Sequence, residues 1–437
     1  MNSNPHTAGH AALQIVKKLR TDGHVALLAG GCVRDMLLNR TPKDYDVATD
    51  AHPARVQELF SKARIVGAKF GVVLIRKSGF DIEVATFRSD GPYSDGRHPD
   101  AVTFGTEIED ARRRDFTING LFFDPLDDRV IDHVGGRDDL TAGVIRTIGD
   151  PDHRFTEDHL RMLRAVRLAA RLGFTIEPLT ASAIARLAPN LNAISPERIW
   201  QELEEILTAP SRATGWALLV QLGLCDHLVG GLRIDRGPNS AMLRRLTAFC
   251  DEPIDPALAL AGLLCDGEAD AAEEICRSLR LSNRLTQAVV WLVRSLPMLR
   301  RQSELELADL KILMADPEWT WLLELLRVDL TAANTVGLPG GGADSSVPLG
   351  GQAAPTQWAA ADADLSAYES VCRRAEAIDP ADVGPPPLLS GDELSAIGMT
   401  PGPRFGEILK SVYRAQLNSK IATREEAMAM AVELMKS

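Results

Sequence analysis

Strand signals in this chain nearly vanish from Phe155 onward, and that change of periodicity constrains the fold more than any other feature. Before it, short apolar runs alternate with polar residues at period two. After it, apolar residues recur at helical spacing. Leu13, Val16 and Leu19, with Gly23 following, read as an amphipathic helix with a glycine stop, and VALLA, Val25 to Ala29, as a short buried strand. Asp44, Asp46 and Ala48 alternate with Tyr45 and Val47, so a strand there places both aspartates on one face. GVVLIRKSGFDIEVATFR, Gly71 to Arg88, reads as a hairpin turning at Ser78-Gly79, with Asp81 and Glu83 sharing a face of its second strand. The expected fold is an α/β unit over residues 1–148, acidic on one side of its sheet, followed by an all-α remainder. Ser195 in SPERI is placed as a helix N-cap with Pro196 at the first helical position. TREE, Thr423 to Glu426, reads as a capping box.

At 437 residues the chain exceeds one simple core and calls for about two to four domains. Half of the sixteen residues from Val336 to Gly351 are Gly or Pro, which marks residues 331–365 as a flexible insertion, and Asp379 to Pro387 looks like a second linker. No apolar run is long enough to cross a membrane, and MNSNPHTAGH lacks the pattern of a signal peptide, so the expected location is cytoplasmic. Six scattered cysteines without a CxxC suggest neither a zinc site nor a disulfide framework. A net charge of −12 argues against holding nucleic acid by global attraction, and leaves recognition to local arginine clusters.

AGGCVRDMLLNRTPKDYDVAT, Ala29 to Thr49, joins bare backbone, a cation and two carboxylates. Gly30-Gly31 sit between a strand and a helix, where missing side chains let phosphate oxygens approach backbone N–H groups. Arg34 is available as a phosphate counter-charge. Asp44 and Asp46 could hold two Mg²⁺ ions, hard cations that prefer carboxylate oxygens. Asp81 and Glu83 offer further acid, and the sequence does not rank them. Taken singly, a double glycine is usually a turn and an Asp-x-Asp a solvated edge; their combination favours a triphosphate and its metals.

GGCVRD, DYD and IEVATFR, in that order, resemble the nucleotidyltransferase head of the polymerase-beta superfamily. RRDFTING (Arg113 to Gly120), GDPDHRF (Gly149 to Phe155), EDHLRMLRAVR (Glu157 to Arg167) and SPERI narrow the resemblance to the family uniting class II tRNA CCA-adding enzymes with bacterial poly(A) polymerases. The likeness is ordered over roughly the first 200 residues, weakens, and partly returns at GMTPGPRFGEILK, Gly398 to Lys410. It implies a catalytic head (1–148), a base-recognising neck (149–205), a body (206–330) and, beyond the insertion, a tRNA-binding tail (366–437). The implied reaction adds CCA to tRNA from CTP and ATP, with Mg²⁺. Arg113, Arg114 and Asp115 are implied to serve the sugar and triphosphate, with Asn119 a secondary candidate.

Asp158 and Arg161 lie three residues apart, read as neighbours on one helix face. Such a pair is usually a surface ion pair of little consequence. Yet C and A each present an amine donor beside a ring-nitrogen acceptor, which an Asp and an Arg complement, and the family places nucleotide selection here. Arg164 and Arg167 continue along the helix toward phosphate or solvent, and Ser195, Glu197 and Arg198 are read as bracing the neck. The loop RSDGPYSDGRHPDAV, with Tyr93, Asp95 and Arg97, resembles the one needed to add the terminal A. GAKFG, Gly67 to Gly71, departs from the basic stretch of poly(A) polymerases. LLCDG, Leu263 to Gly267, is similar to LLHDxG of phosphohydrolases, but Cys265 replaces the histidine, and Leu263-Leu264 read as core. Addition of A alone, a poly(A) polymerase, and an RNA-binding module on a retained fold are the alternatives. No protein partner is inferable.

Overall fold

A computed structural model describes residues 7–61, 63–67, 71–93, 96, 99–228, 240–334 and 364–436. The expected Gly/Pro-rich insertion from Val336 to Gly351, the loop residues Asp95 and Arg97, and Ala68 to Phe70 of GAKFG lie outside the described residues. The chain divides into two units, one containing residues 7–228 and the other residues 240–334 and 364–436.

The first unit is built on β1 (Ala26–Ala29), β2 (Asp46–Thr49), β3 (Ala63–Gly67), β4 (Val72–Lys77), β5 (Phe80–Thr86), β6 (Arg88–Asp90), β7 (Val102–Phe104), β8 (Leu121–Asp124) and β9 (Arg129–Asp132). Seven of these form one sheet in the order β3-β4-β5-β2-β1-β8-β9, and β6 pairs with β7 separately. Neighbours in the large sheet are antiparallel, except β2 and β5, which run parallel. The β4–β5 hairpin turns at Ser78 and Gly79, whose φ angles of 51° and 89° match the twist of the flanking strands.

Helix α1 (Ala8–Thr21) opens where the Thr7 hydroxyl accepts a bond from the His10 N–H at 3.2 Å. It lays Ile15, Val16 and Leu19, all fully buried, on β1, β2 and β5. Leu27, Ala29, Ala48, Phe87, Ala111 and Phe122 form a core cluster of the head. Three short helices follow along this part of the chain: α2 (Gly31–Leu37), α3 (Pro53–Leu59) and α4 (Glu107–Arg112), the last started by a Thr106/Glu109 capping box. Then come α5 (Gly136–Ala142), α6 (Pro151–Glu157), α7 (Arg161–Leu172), α8 (Pro178–Leu187) and α9 (Pro196–Leu207). Pro196 is the first residue of α9, as expected, but the Ser195 hydroxyl makes no cap bond. The N–H it would accept, that of Arg198, donates instead to the Ser195 carbonyl at 3.0 Å.

The described part of the second unit is helical from Ala241 to Asn334 and from Ser366 to Lys436 apart from short connections. Leu263 and Leu264 are buried, as the LLCDG reading expects. Thr423 and Glu426 form the expected capping box, with N–H to oxygen distances of 3.1 and 3.2 Å. The segment expected as a linker carries a short 3₁₀ turn, Pro380–Asp382, capped by Asp379. Its far end is tied down where the Leu388 N–H donates to the Gln416 side-chain oxygen at 2.9 Å. No described helix is long and apolar enough to cross a membrane.

Candidate active site

Strand register assembles the acidic row. Ala29 pairs with Asp46 across β1 and β2, and Asp46 pairs with Glu83 across β2 and β5. The glycine turn therefore begins one residue beyond the neighbour of Asp46, and Glu83 stands on its other side. Asp44 departs from expectation: β2 begins at Asp46, and Asp44 lies in the bend before it. Gly30 turns β1 away at this point, so the pairing of β1 with β2 ends at Asp46. Water lost around its carboxyl pushes Asp46 up to about 6, with Glu83 and Asp44 adding repulsion and Arg114 opposing them. Asp81 faces Arg76 and forms an exposed ion pair with it at 2.8 Å, so register ranks Glu83 above Asp81 as the third carboxylate.

A divalent cation fits this row, because it would relieve the crowding that raises Asp46. Among the described residues, the only three ligating side chains with donor atoms all within 4.8 Å of one another are Cys265, Asp266 and Asp329, in the second unit. That set is already neutralised. Arg245 bonds to Asp266 at 2.7 Å and Asp329 at 2.8 Å, Arg300 bonds to Asp329 at 2.7 Å, and burial pushes the Cys265 thiol up to about 12.

Arg34, expected as a phosphate counter-charge, is buried and bonded. It is 6% exposed, and its guanidinium donates to Asp35 at 2.8 Å and to the Asn119 side chain at 2.7 Å. Its charge is used under the turn. Both cations stand against the turn: a Cβ on Gly31 would meet Arg34 Nη2 at 3.6 Å, and one on Gly30 would meet Arg114 Nη1 at 2.8 Å. Gly30 has φ +74° and ψ −133°, a conformation that L side chains rarely adopt. Gly30→Ala is expected to cost about 1–3 kcal/mol of stability and to weaken nucleotide binding by displacing Arg114. A variant with unchanged melting temperature and unchanged KM for nucleotide would refute this.

Arg113 and Arg114 share one anchor, Asp110, which is 1% exposed and accepts from them at 2.8 and 2.9 Å. Asp115 is saturated. Its Oδ1 accepts from the Phe116 N–H at 2.8 Å and the Asn119 amide at 3.0 Å, and its Oδ2 from Arg164 Nε at 3.0 Å and Nη2 at 2.9 Å. A carboxylate has about four acceptor lobes, so in this arrangement Asp115 has none left for a sugar hydroxyl and serves as a joint between α7 and the head. Burial would raise its pKa, but Arg164 and Asn119 hold it far below the usual carboxylate range. Asn119 joins this chain by donating to Asp115 and accepting from Arg34. Arg164 and Arg167 are not free along the helix either: Arg164 is taken by Asp115, and Arg167 bonds to Glu202 at 2.7 Å.

Asp158 and Arg161 do not share a helix face. Helix α6 ends at Glu157, Asp158 is extended (φ −148°, ψ 104°), and α7 begins at Arg161. Each has its own partner. Arg161 Nη1 donates to Glu157 and, at 2.9 Å, to the Arg154 carbonyl, which uses both of its N–H bonds; Nη2 and Nε have no partner among the described residues. Asp158 Oδ1 accepts from the Leu160 N–H at 3.1 Å and from Arg198 Nη2 at 3.1 Å, and Oδ2 accepts from the same Arg198 nitrogen at 3.0 Å. One lobe of Oδ2 remains open among the described contacts. The partners Glu157 and Arg198 escaped the sequence reading as site residues; the first adjoins Asp158, but nothing local links Arg198 to a residue forty positions away.

Of the loop residues, Tyr93 is described. Its hydroxyl donates to Asp90 at 2.8 Å, and burial with that bond pushes it up to about 12. Asp90 lies 3.8 Å from Arg113, so the loop stem touches the same arginine that Asp110 anchors.

Residues 26–146 match the family model described as "Poly A polymerase head domain", and residues 173–233 match "Probable RNA and SrmB- binding site of polymerase A". The chain is 38% identical over 294 residues to the CCA-adding enzyme of Geobacillus sp. (strain WCH70), covering 67% of this chain and 72% of that one. It is 43% identical over 231 residues to poly(A) polymerase I of Escherichia coli O157:H7, covering 50% of this chain and 49% of that one, about half the length of each. The crystal structure of the Bacillus stearothermophilus CCA-adding enzyme in complex with CTP superposes with a TM-score of 0.73 at 29% identity, covering 100% of this chain and 98% of the other. The chain, with its glycine turn and acidic row, belongs to the nucleotidyltransferase family that unites CCA-adding enzymes with bacterial poly(A) polymerases.

Proposed function

We propose that this enzyme extends tRNA 3′ ends with C, C and A, taking CTP and ATP without a nucleic-acid template. The observation that carries the reading is that Asp158 keeps an open acceptor lobe and Arg161 open N–H groups, one turn of chain apart, where the Arg161 backbone N–H donates to the Asp158 carbonyl. An exocyclic amine of C or A donates to the first, and the adjacent ring nitrogen accepts from the second. U and G present a carbonyl and an N–H instead, which would leave both side chains mispaired.

The tRNA's terminal 3′-hydroxyl attacks the α-phosphorus. A phosphodiester bond forms, the bond from the α-phosphorus to the bridging oxygen breaks, and pyrophosphate leaves toward Gly30, Gly31 and Arg114. Asp44 and Asp46, with Glu83 beside them, would hold two Mg²⁺ ions, which when bound activate the hydroxyl and neutralise the leaving group. Arg113 and Arg114, steadied by Asp110, face the triphosphate. Residues 1–148 act as head, 149–205 as neck, 206–330 as body and 366–437 as the tRNA-binding tail, and the work is done in the cytoplasm. The net charge of −12 suits a protein that reads tRNA shape through chosen arginines.

The test is nucleotide addition to three tRNA transcripts, ending before CCA, after the first C and after CC, with each nucleoside triphosphate singly and CTP with ATP together. Addition of CCA followed by a stop is the expected result. A single A added only to the CC end would make the protein an A-adding enzyme, and a long A tail would make it a poly(A) polymerase.

A further inference from the structure

Resting on the reading of Asp158 and Arg161 as base readers, we infer that Arg198 is a specificity-determining positioning residue, which holds the Asp158 carboxylate so that a single acceptor lobe faces the incoming base. An unpartnered Asp and an unpartnered Arg one turn of chain apart can close on each other as an ion pair. A collapsed pair reads no base, since its donor and acceptor are satisfied internally. The structure prevents this with two separate counter-ions. Glu157 takes Arg161, and Arg198 takes both oxygens of Asp158 through one nitrogen, at 3.1 and 3.0 Å. With the Leu160 N–H also on Oδ1, rotation of the carboxylate is stopped from two directions.

Asp115 provides a contrast within the same unit. Four donors close it, whereas Asp158 has three contacts and one open lobe. Arg198 is the third residue of α9, where the helix macrodipole opposes a cation. Its placement there is compensated by Asp158, and SPERI therefore supplies the group that aims the base reader as well as a helix start. The two side chains are 19% and 18% exposed, so solvent screens the contact only in part and a base can still reach it.

The experiment compares kcat/KM for CTP and UTP on a tRNA ending before CCA, in the parent, Arg198→Met, Arg198→Lys, Asp158→Ala and the Arg198→Met/Asp158→Ala double variant, with melting temperatures alongside. Arg198→Met is expected to lower the CTP-to-UTP ratio about 10- to 100-fold, the worth of one mispaired half-buried polar group. Arg198→Lys should recover part of that loss, and the double variant should fall no further than Asp158→Ala alone. If Asp158→Ala lowers the ratio while Arg198→Met slows CTP and UTP equally, Arg198 is only a brace and the proposal is overturned. If Asp158→Ala leaves the ratio unchanged, the reading beneath the proposal fails and the proposal with it. Should Arg198→Met fail to fold, Arg198→Gln takes its place in the same comparison, and an unchanged ratio there overturns the proposal equally.

Discussion

Asp46→Asn is expected to lower the rate of single-nucleotide addition by about a thousandfold or more, equivalent to about 4 kcal/mol of lost transition-state stabilisation. The argument is local. Asp46 stands in the sheet between Ala29, at the mouth of the glycine turn, and Glu83. Removing its charge leaves Asp44 and Glu83 without the member that links them. Stability should move the other way. Loss of water and the neighbouring Glu83 push this carboxyl up to about 6, above the 3.8 of a free aspartate, so its ionised form opposes folding. That opposition is absent below the free value, grows between the two values, and is complete above 6. With a chelator present, the variant should therefore melt at or above the parent's temperature at pH 7.5, and the difference should shrink toward pH 4. A variant that adds nucleotides at the parent's rate would exclude Asp46 from the metal-holding row.

Asp110→Ala is expected to destabilise the protein by about 3–5 kcal/mol, the usual consequence of removing one partner from a buried ion cluster. One carboxylate, 1% exposed, carries two guanidiniums here. Without it, Arg113 and Arg114 are left without their shared anchor beside the Gly30 turn, so nucleotide binding should weaken as well. Burial alone would raise the pKa of Asp110, but Arg114 and Arg113 together hold it below the usual carboxylate value. Its contribution to stability is therefore fully present above the free aspartate value of about 3.9, and disappears as pH falls through the lowered folded value. Thermal melting across pH 3–7 checks both statements. Equal melting temperatures for parent and variant at pH 7 would show that other groups, not Asp110, hold the two arginines.

Local chemistry explains how much of this was readable in advance. The α1 helix, the β4–β5 hairpin, the Thr423/Glu426 capping box and the start of α9 at Pro196 depend on residues within a few positions of one another, and periodicity or turn chemistry reports them directly. The motifs RRDFTING and EDHLR likewise sit in one piece of chain, so the family resemblance they carry is legible without a structure. Partnerships do not share that property. That Asp158 and Arg161 straddle a break between α6 and α7 could not be inferred from a three-residue spacing, which fits a continuous helix equally well. Arg34 looks like a free cation beside two glycines until the packing of Asn119 beneath the turn is known.

By itself, then, the sequence determined the order of elements, the glycine turn, the acidic pair and the basic residues at hand, because each is encoded by near neighbours. Only the tertiary structure decided which of those charges remain available. Sheet register set Glu83 beside Asp46 and left Asp81 to Arg76; packing of α7 on the head saturated Asp115; and α9 brought Arg198 to Asp158. The physical reason is that an ionic group's role depends on the donors and acceptors already bonded to it, and those come from segments far apart in the chain.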